Sequence, residues 1–539
     1  MDACDTSKDT VSCAQALLAS LADHGIDTLF GIPGIHTLDL YRGLRQTTLR
    51  HVAVRHEQGA AFMADGFARV AGRPAGCLLI TGPGLLNAST AIGQAYSDSI
   101  PMMVITTVND RRDLGLGRGE IHELRDQRKA LEGVVDSVIT VHDPEQVTTA
   151  VALSMARMGP RRKRPTIIEL PLDVARTPVA ARRHQIADIA LPGPAPAALS
   201  ALSDRLARAK RPFFIFGGGA TGAAAAARKL VTLLGAPCAT TVAGKGVVDE
   251  TSPLSLGSSL GHEKTNAIMN AADLVIAVGT ELAYLDHFNR PLKIEPDLIR
   301  IDLDADVLVR DHPPVLAILA DAATALAAAV QSLAEQPARA AWRSDIAATR
   351  ETIREDMRHR RPEICAYLDA LNQCLRSDAA IFSDMTQIAY TANRYFVSRE
   401  PGCWLHPVGF GTLGYAPPAA IGGKLADPKR QVVALVGDYG FGFTQQEIAV
   451  AVEQRLQLPI IIWNNQLLGA IDYNMRNEGI QPVAVDLPPP DFAHLAKAYG
   501  SAYAKVTRPD ELGAAVLACF ETAGPTLIEI VGEKGSYKR

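Results

Sequence analysis

The stretch Gly437–Asn465, GDYGFGFTQQEIAVAVEQRLQLPIIIWNN, decides the fold of this chain. An acidic residue sits in a glycine-rich turn, an amphipathic helical pattern follows, and a short apolar strand ends in paired asparagines. The preceding QVVALVG is a buried-strand pattern, so Asp438 falls where a strand gives way to a helix. Thr444 and Glu447 have the spacing of a capping box, which predicts a helix start just after the glycines. Open amides at such a start, with the positive end of the helix dipole, favour a phosphate group. Asp438 and Asn465 offer oxygen ligands suited to Mg²⁺ or Ca²⁺, and a hard cation bridging two phosphates would sit between them. An ordinary βαβ unit whose Asp and Asn cap turns carries the same residues.

Outward from this segment the chain reads as alternating strands and helices. AQALLASLADHG is a helical pattern, whereas TLFGIP, GCLLITG, MMVITTV, FFIFGGGA, DLVIAVGT and LIRIDLD read as strands followed by turn chemistry. Such alternation predicts an α/β fold of doubly wound parallel sheets covered on both faces. Three domains are expected, at 1–185, 190–345 and 355–539, with the Pro/Ala-rich stretch Leu191–Ala198 as a linker. Gly82–Asn109 and Gly437–Asn464 each run glycine turn, helix, Pro, apolar strand, Asn over the same separation, which hints at a duplicated plan. The turn GGGATGA (Gly217–Ala223) lacks G-x-G-x-x-G spacing and is expected to be structural.

Composition bounds the class. The 539 residues are 47% hydrophobic with a net charge of −4, ample for several cores and without a basic nucleic-acid face. The basic run Arg161–Arg164 is expected to be a solvated loop. No apolar stretch reaches the about eighteen residues of a membrane span, and Met1–Thr10 has no signal-peptide pattern. The eight cysteines show no zinc spacing and read as reduced thiols of a cytoplasmic protein.

The Gly437–Asn465 segment resembles the cofactor signature of thiamine-diphosphate enzymes of the acetolactate synthase and 2-oxo acid decarboxylase superfamily. That resemblance implies a pyrimidine-binding first domain, a central domain and a diphosphate-binding third domain. It also implies thiamine diphosphate and Mg²⁺ as cofactors. Asp438, the side chain of Asn465 and the carbonyl of Leu467 would hold the metal, with Gly437 and Tyr439 against the diphosphate. Tyr439 departs from the family's glycine and disfavours positive φ there. VRHEQGAAFMADGFAR (Val54–Arg69) resembles the segment of the family's catalytic acid, here Glu57. Burial is expected to raise its pKa. In HPVGFGTLGYAPPAAIGGKLA (His406–Ala426), Gly411 would accept from the cofactor's amino group and Leu413 would wedge its two rings together. Gln387, in SDMTQ, matches a diphosphate contact. The family builds each site from two chains, so a homodimer or homotetramer with shared active sites is implied.

Departures narrow the reaction. Asn474 stands where acetolactate synthases carry a tryptophan, and VGTELAYLDHF replaces their flavin-binding run, which argues against bound FAD. Ile35, His36 and a single His122 differ from the pyruvate decarboxylase pattern. GLGRGEIHELRDQ (Gly115–Gln127) resembles the matching run of 5-guanidino-2-oxopentanoate (2-ketoarginine) decarboxylases. Glu120, Glu123 and Asp126, joined by Asp472, would suit a guanidinium tail through forked hydrogen bonds; the same carboxylates could instead pair with neighbouring arginines. His122 with His36 would handle protons, and Gln127 would orient the substrate. The expected reaction is non-oxidative decarboxylation of a 2-oxo acid to an aldehyde and CO₂. The alternatives are an acetolactate synthase-like carboligase and a non-catalytic paralogue.

Overall fold

A computed structural model describes residues 10–181, 189–287 and 291–532. The reading of the first nine residues, Phe288 of the flavin-run comparison and the expected limits at 185 and 539 lie outside them. Three parallel sheets carry the chain. In spatial order the first holds Arg50–Ala53, Thr28–Gly31, Gly76–Leu79, Met103–Val108, Thr166–Pro171 and Ser137–Thr140. The last holds Trp404–Leu405, Ala380–Ser383, Val432–Gly437, Leu458–Asn464, Pro525–Val531 and Ala502–Val506. Both follow one rule, second strand, first, third, fourth, sixth, fifth, so the echo between Gly82–Asn109 and Gly437–Asn464 is a shared topology. The central sheet places Cys238–Thr240, Pro212–Phe216, Leu274–Val278, Asp297–Asp302 and Leu316–Leu319 side by side.

Central strands such as Val432–Gly437 and Leu458–Asn464 are buried along their whole length, which is why they read as continuous apolar runs. In every such sheet the order reverses between the first and third strands, and ligand crevices open there, beyond the carboxyl ends of the strands. Gly82 and Asp438 both follow a third strand.

The chain forms two compact units. One joins residues 1–189 to Gly409–Lys429 and Gly442–Leu456; the other holds 190–408, 430–441 and 457–539. Two stretches assigned by sequence to the third domain therefore pack with the first. Glycine explains it. The helices Glu57–Ala71 and Ala416–Ala426 touch backbone to backbone: a Cβ on Gly66 would lie 1.9 Å from the Ala419 carbonyl oxygen, and one on Gly422 would lie 1.9 Å from that of Met63.

The expected capping box is absent. Thr444 Oγ1 donates instead to the Gly414 carbonyl at 2.7 Å, and a 3₁₀ turn, Gln445–Glu447, leads into the helix Ile448–Glu453. Directly after Gly437 comes the short helix Asp438–Phe441. GGGATGA is a 3₁₀ segment, in keeping with a structural turn. The basic run is not simply solvated: Arg164 stacks on Tyr96 at 4.0 Å and Arg162 bonds Ser99 at 2.7 Å.

Candidate active site

In the first unit, His56 caps the helix Glu57–Ala71, its Nδ1 accepting the Gln58 amide. Glu57 therefore emerges in the first turn, where the helix dipole favours a carboxylate. It is half-buried, and its setting is polar: Asn87 Nδ2 donates to its Oε2 at 3.0 Å. A Cβ on Gly84 would approach Glu57 Oε1 to 3.2 Å, so glycine keeps the carboxyl's side clear.

Around the neighbouring Gly82 the structure gathers His36, His122 and Gln127. The Gly82 N–H donates to Gln127 Oε1 at 2.8 Å. The His122 carbonyl lies where a Cβ on Gly82 would be, 2.4 Å away, and Gly82 itself has φ +67°. His122 holds a left-handed φ of +58°, a strained conformation for a non-glycine and one that clusters at functional sites. Its ring meets that of His36 edge-to-face at 5.1 Å. Burial, then His122 and Arg176, hold His36 below the usual imidazole range against the pull of Asp110. His36 Nδ1 bonds Thr81 Oγ1 at 3.0 Å, which fixes the ring.

Four of the expected substrate residues are engaged within the protein. Gln127 is buried and its amide is spent within the protein, Nε2 donating to the Thr107 carbonyl at 3.0 Å and to Glu169 Oε1 at 3.1 Å. It anchors Gly82. Glu123 accepts the amides of Gly117, Gly119 and Glu120; these outweigh desolvation and hold its carboxyl below the usual value. It therefore shapes the Gly-rich loop. Asp126 caps the helix Gln127–Leu131, and the Lys129 amide and then its ammonium lower its pKa. Asp472 pairs with Arg476 at 2.9 Å. Of the four expected guanidinium ligands, only the exposed Glu120 has a carboxyl without a hydrogen bond or ion pair among the described residues.

Gly411 and Leu413 lie in the same unit, Gly411 at φ +69° and Leu413 half-buried. Their loop is tied to the helix Pro83–Ser97, which also carries Asn87. Gln94 Oε1 accepts Thr412 N at 3.2 Å and Thr412 Oγ1 at 2.9 Å, while Asp98 Oδ1 accepts Gly409 N at 2.8 Å. Arg69 bridges Asp98 and Asp65, and Asp65 takes the Tyr415 hydroxyl at 2.6 Å. Sequence reading missed these polar residues. The available signal was that Asn87 and Gln94, seven apart on one helix, share a face.

In the second unit, Asp438 Oδ1 accepts Tyr439 N and Oδ2 accepts Gln466 N, at 2.8 and 2.7 Å. The Asn465 backbone N–H also points at this carboxyl. Burial nevertheless pushes its pKa up. A buried carboxylate held by backbone amides, in a run that also carries the Asn465 side-chain oxygen, offers the hard oxygen donors a divalent cation takes. Leu467 N donates to Asn465 Oδ1 at 3.3 Å, and the Leu467 carbonyl accepts Gly469 N, retaining a second lone pair for a cation. Gln387 Oε1 steadies Asn465 Nδ2 at 3.3 Å. No group of three or more His, Cys, Asp or Glu side chains converges among the described residues, so a cation here would depend on one carboxylate and neutral oxygens. Tyr439 has none of the positive φ its position raised as a concern; it follows Asp438 in ordinary helical backbone.

Comparison with known proteins gives the class. Models of the thiamine pyrophosphate enzyme match in all three parts: the N-terminal TPP-binding domain over residues 11–131, the central domain over 179–329 and the C-terminal TPP-binding domain over 384–530. The chain belongs to the thiamine pyrophosphate enzymes. It is 44% identical to a probable 2-ketoarginine decarboxylase of Pseudomonas aeruginosa, over 97% of this chain and 94% of that one. The acetolactate synthase isozyme 1 large subunit of Escherichia coli is 30% identical over 96% and 93%. The acetolactate synthase large subunit of Parasynechococcus marenigrum is 29% identical over 98% and 88%.

Proposed function

We propose that this enzyme decarboxylates a 2-oxo acid with a guanidinium tail, 5-guanidino-2-oxopentanoate, to 4-guanidinobutanal and CO₂, using thiamine diphosphate and Mg²⁺. The observation that carries the substrate is the 44% identity to the Pseudomonas protein, against 29–30% for the acetolactate synthases. When bound, thiamine diphosphate supplies the nucleophilic carbon and the electron sink for decarboxylation. Asp438, Asn465 and the Leu467 carbonyl hold the cation, with Gly437, Tyr439 and Gln387 lining the diphosphate end. Glu57, steadied by Asn87, would be the carboxyl that gives and takes a proton at the aminopyrimidine end. Gly411 and Leu413 receive that ring. His122, backed by a neutral His36, returns the proton that completes the aldehyde. Glu120 on the Gly-rich loop is the carboxylate that meets the guanidinium.

We further read the enzyme as a cytoplasmic homo-oligomer with active sites shared between chains. The described cysteines are free thiols, and no described helix is long and apolar enough to cross a membrane. A panel of 2-oxo acids with added cofactor and Mg²⁺, following CO₂ release, tests the substrate. Preference for 2-ketoarginine over pyruvate, benzoylformate and branched-chain acids is expected. A preference for a neutral or anionic tail would remove the assignment, and acetolactate or acetoin from pyruvate alone would make the protein a carboligase.

A further inference from the structure

Glu447 is a wholly buried carboxyl for which the decarboxylation reading has no use. It leaves the 3₁₀ turn Gln445–Glu447 and reaches the segment just ahead of the helix Glu57–Ala71. Arg55 N donates to its Oε2 at 3.2 Å and its Oε1 at 3.3 Å, and the His56 N–H points at the same carboxyl. Space for it exists because residue 59 is glycine: a Cβ there would lie 2.5 Å from Glu447 Cδ. The Arg55 guanidinium turns away to Glu453 at 2.8 Å, so what Glu447 grips is main chain. One residue beyond that grip stands Glu57, held on its other side by Asn87. A carboxyl that binds consecutive backbone amides fixes the direction of the chain more tightly than a side-chain pair could, because peptide planes have few soft dihedrals.

We propose that Glu447 is a positioning residue for Glu57: by clamping the Arg55 and His56 amides it fixes the main chain from which the Glu57 carboxyl is presented. The inference rests on the reading of Glu57 as the cofactor-activating acid and gives Glu447 no contact with cofactor or substrate. Catalysis is steep in such placement, since an error of about 1 Å costs on the order of 100-fold.

Two substitutions test it. Glu447→Gln keeps the volume and one acceptor, and Glu447→Asp keeps the charge but draws it back by a methylene. In the cofactor-free protein, hydrogen–deuterium exchange across residues 52–62 rises about tenfold in either variant, with exchange around Asp438 unchanged. In the loaded enzyme, the rate constant for C2-proton exchange of thiamine diphosphate, acid-quenched and read by NMR, falls by about 10- to 100-fold. KM for the 2-oxo acid stays within about twofold. A rate constant, unlike an amplitude, does not respond to a misfolded fraction. Wild-type amide exchange in both variants, or wild-type C2 exchange in both, overturns the proposal. Wild-type C2 exchange in Glu57→Gln would overturn instead the reading of Glu57 on which it stands.

Discussion

The first and last sheets share one strand order, yet the turn after the third strand is furnished differently in the two. In the first sheet Gly82 follows Gly76–Leu79, and its amide is consumed by the side chain of Gln127. Near it stand the groups proposed above to move protons, Glu57 with Asn87 and the His36–His122 pair. In the last sheet Asp438 follows Val432–Gly437, and its carboxylate is met by the backbone amides of Tyr439, Gln466 and Asn465. That turn is built for charge. The same doubly wound topology recurs, and the residues placed at each crevice, rather than the fold, set what chemistry it can offer.

The comparison breaks most sharply at Glu57. Glu57→Gln keeps the bond to Asn87 but removes the exchangeable proton, so turnover should fall about 10²- to 10⁴-fold while cofactor retention persists. Steady-state CO₂ release and the thiamine diphosphate content after gel filtration check both halves. Asp438→Asn should do the reverse. Loss of the charged ligand weakens Mg²⁺ retention by more than the roughly 10- to 100-fold typical of changes outside the ligand set, and calorimetric titration reads it. If Glu57→Gln also lost the cofactor, the division of labour between the two turns would be wrong.

Glu447 sharpens the comparison through pH. Burial drives its pKa up from 4.5 to about 7, against the pull of the Arg55 and His56 amides and of Arg55 itself, with Glu57 adding to the rise. An acid whose folded pKa is raised binds its proton more tightly in the native state. Its contribution is therefore lost as pH climbs from about 4.5 to 7, amounting to about 3 kcal/mol above that window. Glu447→Gln cannot ionise. Its stability relative to wild type should thus improve between pH 5 and pH 8, whatever constant penalty the exchange carries. Denaturant midpoints at the two pH values measure it, and a flat difference would place Glu447 in a far more polar setting.

How much of this was legible depended on how local each interaction is. The positions of Asp438, at a strand-to-helix turn, and of Asn465, just past the next strand, could be read because strand, turn, helix and strand lie in one continuous run. The strand patterns were legible for the same reason. Glu447 was misread as half of a capping box because its true partner, Arg55, stands 392 positions away. Thr444 failed as a cap because its hydroxyl finds the Gly414 carbonyl, 30 positions off. Glu123 and Asp126 looked like substrate carboxylates, since composition alone does not show that one gathers three loop amides and the other caps a helix. Nor does sequence announce that Gly66 and Gly422 let two helices meet, which draws part of the third domain into the first unit.

Gln127 carries the smallest of the expected effects and the one that tests whether the Gly82 turn is held as described. Gln127→Leu keeps the size but leaves the Gly82 amide without its acceptor and Glu169 without one donor, Thr140 remaining its other partner at 2.7 Å. One buried unsatisfied group costs about 1–3 kcal/mol, so a fall in melting temperature of several degrees is expected. Gln127→Glu separates geometry from mere polarity. Its carboxylate can still accept the Gly82 amide, yet it can no longer donate to Glu169, and two buried carboxyls then face each other, which destabilises whichever of them ionises. Glu should therefore be worse than Leu at pH 8, with the gap narrowing as the pH falls and the pair shares a proton. The opposite ranking would mean that Gly82 is held by something other than this amide.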